Sequence, residues 1–111
     1  MNKAGKAFEE LVKIMDELRE KCPWDREQTF ESIRNLTIEE TYELTDALLE
    51  KDYQNVKKEL GDLLLHIVFY SKIASESNLF NITDVIDQLS KKLIYRHPHI
   101  FGTEQVASAS E

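Results

Sequence analysis

Between Glu39 and Asp62 the chain carries two acidic groups at helical spacing. They read Glu39-Glu40-Thr41-Tyr42-Glu43 and Glu59-Leu60-Gly61-Asp62. Residues three or four apart share one face of a helix, so Glu40 pairs with Glu43 and Glu59 with Asp62. Glu39 reaches the Glu43 side at four-residue spacing. Ile38, Leu44, Ala47 and Leu48 flank the first group; Leu60, Leu63, Leu64, Ile67 and Val68 surround the second. The second segment is apolar nearly all round, which predicts a helix buried in a bundle. Carboxylates at such an interface are costly unless paired or metal-bound. Two antiparallel helices joined by a short turn bring four carboxylates together, and a divalent cation is the simplest partner for all of them. One acidic pair alone is most often solvated surface. Two pairs, the second inside an apolar run, reverse that preference.

Only 3 glycines and 2 prolines interrupt 111 residues rich in Leu, Glu and Lys. Strand alternation is not sustained anywhere. The expected fold is all-α, a bundle of about four to five helices. Phe8, Leu11, Val12, Met15 and Leu18 recur with helical spacing, which predicts a first helix from about Lys3 to about Glu20. Pro23 ends it. Asp25 is expected to cap a short helix through Phe30 and Ile33, with Thr29 as a cap or polar contact. Thr37-Ile38-Glu39-Glu40 fits a capping box that opens a further helix running to about Lys51. Asp52 caps the next, from about Tyr53 to about Glu76. Gly61 falls inside it, at a cost of about 1 kcal/mol relative to Ala, which suggests close approach of another backbone or a ligand. Ser77 to Asn81 is a turn. Asn81 or Thr83 starts a last helix, which Pro98 stops. Residues 97–101 are expected as a compact tail.

The formal net charge is −7, which argues against a nucleic-acid-polymer surface but leaves room for a metal-bridged phosphate ligand. Cys22 is the single cysteine, so no internal disulfide or Cys-rich zinc pattern exists, as suits a reducing cytoplasm. The amphipathic start is not a signal peptide, and no apolar run is long enough to span a bilayer, so no membrane partner is expected. No glycine-rich phosphate loop or nucleophilic serine motif is present. Trp24 reads either as a hydrophobic plug or as a flat wall for a base. Lys91, Lys92 and Arg96 either complement a helix end or clamp phosphate.

Cys22-Pro23-Trp24-Asp25-Arg26-Glu27-Gln28-Thr29, the two acidic motifs, and Lys92-Leu93-Ile94-Tyr95-Arg96-His97-Pro98-His99-Ile100-Phe101-Gly102 occur in an order that resembles the MazG family. The resemblance covers about Phe8 to Gly102. It implies an all-α nucleoside triphosphate pyrophosphohydrolase that cleaves NTPs or dNTPs to monophosphate and pyrophosphate with Mg²⁺. It implies Glu40, Glu43, Glu59 and Asp62 as metal ligands, Lys92 and Arg96 as phosphate contacts, and a homodimer with a shared bundle. Phe69, Tyr70, Ile73 and Leu79 are candidates for the dimer interface or its edge. The domain is expected over residues 1–102. Relatives continue into another helix after Gly102, so residues 103–111 are expected as a disordered tail or the start of that helix.

Hard oxygen ligands suit Mg²⁺, with Mn²⁺ as a substitute, better than Zn²⁺. The proposed catalytic groups are Glu40, through the metal, and Glu39, which orients or deprotonates the attacking water. A non-catalytic nucleotide-sensing or dimerisation module is the main competing reading. A di-iron carboxylate bundle is the other, although those sites use Glu-x-x-His, and His66 stands four residues beyond Asp62.

Overall fold

The computed structural model describes residues 2–102. They form four long helices and two short ones: α1 (Lys3–Lys21), α2 (Pro23–Glu27), α3 (Phe30–Glu50), α4 (Tyr53–Glu76), α5 (Ile82–Arg96) and α6 (Pro98–Phe101). The expected tail, residues 103–111, lies outside the described residues. No described helix is long and apolar enough to cross a membrane.

The main departure from the sequence reading is at the start of α3. Thr29, not Thr37, is its N-cap: the Thr29 side chain accepts from Ser32 N, and Ser32 Oγ accepts from Thr29 N. The helix then runs on, because nothing between Phe30 and Glu40 breaks it. Thr37 sits mid-helix and bonds back to the Ile33 carbonyl at 3.2 Å. Asp25 caps no helix through Phe30 either. It lies inside α2, which opens on Pro23, where the missing N–H costs nothing.

The turn between α3 and α4 is only two residues long. Lys51 takes the left-handed conformation (φ 59°), its N–H closing on the Ala47 and Leu48 carbonyls, and Asp52 accepts from Asn55 N at 3.3 Å to cap α4. So short a turn folds α4 back antiparallel along α3, and these two helices share the most extensive packing in the chain. Asn81 caps α5 in a reciprocal box with Asp84.

The core is small. Met15 of α1, Ile33 of α3, and Val68 and Phe69 of α4 form its buried centre, with Phe8, Leu11, Tyr70 and Ile73 packed around them. Phe69 is therefore an intrachain core residue, not an interface residue, because its place on α4 faces α1 and α3. Of the other three interface candidates, Tyr70 and Ile73 pack partly against this core and Leu79 is exposed. Among the described residues the α5 helix meets only α4 and α6. Its Ile86, Leu89, Leu93 and Ile94 remain exposed, as do Leu60, Leu64 and Ile67 of α4. The radius of gyration is 17.1 Å, against about 13 Å for a compact domain of this length. An added Cβ on Gly61 meets nothing within 4 Å, so the described chain itself makes no close approach there.

Candidate metal centre

The antiparallel register of α3 and α4 brings acid to acid. Glu40 and Glu43 project from α3 toward Glu59 of α4, and one carboxylate oxygen from each lies within 4.8 Å of the others. Glu40 is only 6% exposed and Glu59 only 3%; Glu43 is exposed and forms the open side. This is a half-walled pocket of negative charge, dry on one side and wet on the other.

Glu40 has the most unusual environment. Its Oε2 is buried without a hydrogen-bond partner. An orphaned buried acceptor is expensive, and native structures rarely leave one without a partner ion or water. Burial, first, pushes the Glu40 carboxyl up to about 7, and the neighbouring Asp62 and Glu59 carboxyls push it the same way. A buried carboxylate oxygen with nothing to bind, amid two further hard oxygens, is the donor set of a divalent cation such as Mg²⁺. The residues fit that ion.

Asp62 does not join the tight set. It is half-buried one turn beyond Glu59, and Lys58 Nζ bridges the two, 3.0 Å from Glu59 Oε1 and 3.2 Å from Asp62 Oδ2. The i,i+4 spacing of Lys58 and Asp62 makes that pair legible in sequence, although the sequence reading passed over it. Glu39 is exposed beside the cluster.

One turn along the same seam, Thr37 Oγ1 lies 2.9 Å from His66 Nδ1 and is also hydrogen-bonded with the Tyr70 hydroxyl. Burial lowers the His66 pKa, against a weaker opposing pull from Asp62. His66 thus belongs to a polar layer with Thr37 and Tyr70 and is not among the clustered ligand atoms, unlike the histidines of a di-iron site. Neither this layer nor its contacts were legible in sequence, because residues 37, 66 and 70 meet only through the α3–α4 register.

The remaining expected site residues are not brought to the carboxylates within the described chain. Trp24 is 59% exposed on α2, which packs only on α1. Lys92 and Arg96 are exposed on α5, which does not touch α3.

The family described as the MazG nucleotide pyrophosphohydrolase domain matches residues 28–101. The chain is 55% identical over 104 residues to a protein of Thermotoga maritima named nucleoside triphosphate pyrophosphohydrolase/pyrophosphatase MazG, covering 92% of this chain and 41% of that protein. It is 43% identical over 107 residues to the nucleoside triphosphate pyrophosphohydrolase of Escherichia coli, covering 94% and 41%. It thus spans about two-fifths of the length of these relatives. The crystal structure of a mazG-related protein from Thermotoga maritima shares the fold, with a TM-score of 0.77 at 24% identity over 92% of this chain and 90% of that one. With its family match running from Gln28 through both acidic motifs to Phe101, the chain belongs to the MazG nucleotide pyrophosphohydrolase domain family.

Proposed function

We propose that this domain hydrolyses nucleoside triphosphates, ribo or deoxy, to the monophosphate and pyrophosphate in a Mg²⁺-dependent reaction. The observation that carries this reading is the orphaned Glu40 Oε2 beside Glu43 and Glu59. The names of the full-length relatives support the reaction class.

Glu40, Glu43 and Glu59 would hold the metal, with Asp62 completing the set from the rim. Mg²⁺, when bound, supplies the charge that neutralises the triphosphate and acidifies a bound water. The buried Glu40 and Glu59 fix the inner wall, so their carboxylates need no reorganisation when substrate arrives. Glu39, on the wet side, orients the attacking water and takes its proton. The water oxygen bonds to the α-phosphorus, the Pα–O bond to the β-phosphate breaks, and pyrophosphate leaves with its electron pair. Lys92 and Arg96 hold phosphate oxygens, and Trp24 offers a flat face to the base.

The active assembly is a homodimer. The radius of gyration exceeds that of a compact domain, and the apolar stripe of α5 is bare, so a second chain is the natural cover. In that assembly α5 of one chain brings its basic residues to a site. Nucleotide chemistry and a lone cysteine suit a cytoplasmic protein.

Incubation with Mg²⁺ and a panel of NTPs and dNTPs in ¹⁸O-water tests this. The expected products are pyrophosphate and a monophosphate carrying the label. First release of orthophosphate and a diphosphate would overturn the reaction class.

A further inference from the structure

The seam between α3 and α4 gathers four carboxylates, yet among the described residues only one cation is ion-paired with any of them. Lys58 Nζ contacts Glu59 Oε1 at 3.0 Å and Asp62 Oδ2 at 3.2 Å. Its side chain is 67% exposed while that of Glu59 is almost fully buried. The ammonium thus reaches down from solvent onto a buried acid and closes the cluster from the α4 side. The other basic residue of α4 with a partner, Lys72, pairs with Asp16 on α1 and takes no part.

An ammonium and a divalent cation compete for the same lone pairs. A divalent cation held by Glu59 and Asp62 would draw on the oxygens that Nζ now contacts, and its charge would repel the ammonium. The exposed, flexible stem lets Lys58 swing out to solvent at little cost. Asp62, which stands outside the tight carboxylate set while Lys58 holds it, is then free to turn inward.

We propose that Lys58 is a resident counter-ion that competes with the divalent cation for Glu59 and Asp62, so that metal loading expels its ammonium and the residue at position 58 sets metal affinity. This rests on the metal-centre reading above and adds to it a residue that tunes the site without being a ligand. The acids have a stand-in partner in the metal-free protein, and metal binding is weaker for it.

The test is a Mn²⁺ titration at low ionic strength, read by the EPR signal of the free ion, together with thermal melts in EDTA. Wild type is expected to bind Mn²⁺ and Glu40→Gln to lose that binding. Lys58→Gln is expected to bind roughly tenfold more tightly than wild type. It also melts lower than wild type in EDTA, because the acids lose their counter-ion, and the difference closes at saturating Mn²⁺. Lys58→Arg keeps the charge and does not tighten binding. A residue that merely stabilised α4 would lower the melt without tightening the metal. Equal or weaker Mn²⁺ binding by Lys58→Gln overturns the competition while leaving the metal centre standing. Absence of Mn²⁺ binding by wild type and variant alike overturns the metal centre, and the competition with it.

Discussion

Arg19 of α1 grips Glu76 at the far end of α4 with two parallel bonds, Nε to Oε2 and Nη2 to Oε1, each 2.8 Å long. The third nitrogen, Nη1, donates to the carbonyls of Asp25, Arg26 and Gln28 at 2.8 to 2.9 Å. One guanidinium thus ties α1 and α4 to the C-terminal end of α2 and to Gln28 just beyond it, and only 13% of its side chain is exposed. Lysine has neither the fork nor the donor count to replace it.

Arg19→Ala should therefore cost about 2–4 kcal/mol and Arg19→Lys about 1–2 kcal/mol in urea unfolding. Loss below about 0.5 kcal/mol for both would mean that the latch is a solvated surface contact. The pH sign follows from Glu76, whose carboxyl Arg19 holds below the usual range, chiefly through the hydrogen bonds. That contribution is present above the unfolded value and is lost as pH falls through the depressed folded one, so Arg19→Ala should lose acid sensitivity as well as stability.

Glu40 acts with the opposite sign. Its folded pKa of about 7 lies above the ordinary 4.5, so the folded protein binds the extra proton between those values. The stability is present below about 4.5 and lost as pH rises through about 7. In EDTA the melting temperature should fall across that window, and Glu40→Gln should flatten the fall. With Mg²⁺ the trend reverses, because the ion binds the deprotonated site. A hundredfold excess over Kd adds about 2.7 kcal/mol. Melts from pH 4.5 to pH 8, with and without metal, measure both slopes.

Glu43 is exposed on the open side of the cluster, with no salt bridge or hydrogen bond of its own among the described contacts. Glu43→Gln should reduce turnover by at least about a hundredfold, a loss of roughly 2.7 kcal/mol of transition-state stabilisation. It should melt no lower than wild type in EDTA, since it removes a repelling charge and keeps the volume. A drop of several degrees in EDTA would make Glu43 a structural partner rather than a ligand.

Lys92→Ala and Arg96→Ala should each raise KM for NTP about tenfold, about 1.4 kcal/mol, and leave Mn²⁺ affinity within twofold. Both residues are exposed on α5 and form no ion pair with the carboxylates among the described residues. If a second chain brings them to the site, mixing Glu43→Gln with Arg96→Ala should restore turnover at the wild-type KM, because one site of each heterodimer keeps both groups intact. No restoration would place the basic residues outside the shared site.

Gly61 is helical with open space where a Cβ would stand. Gly61→Ala should stabilise the chain by up to about 1 kcal/mol, roughly 4 °C, if nothing approaches α4 there. A fall in stability or in dimer affinity would locate a second chain against that turn, as the sequence reading of this glycine expects.

What the linear chain determined by itself was the periodicity and the donors. Too few breakers and a 3.6-residue apolar rhythm leave helices as the outcome, and the boundaries of α1, α4 and the start of α5 follow from local caps at Asn81 and Asp52 and from Pro23. The acid pairs were legible because i,i+3 spacing on a helix is a local rule. Local rules failed at Thr37, where a plausible cap signal lies inside a helix already opened by Thr29 and Ser32, since a helix needs only one start. Tertiary structure decided everything that depends on the α3–α4 register. It buried Glu40 and Glu59 yet left Glu43 open, set Asp62 on the rim beneath Lys58, and joined Thr37 to His66. It also turned Phe69 inward to Met15 and Ile33. Burial and the orphaned Glu40 oxygen belong to no residue's own spacing; they arise only when a second helix displaces water from the first.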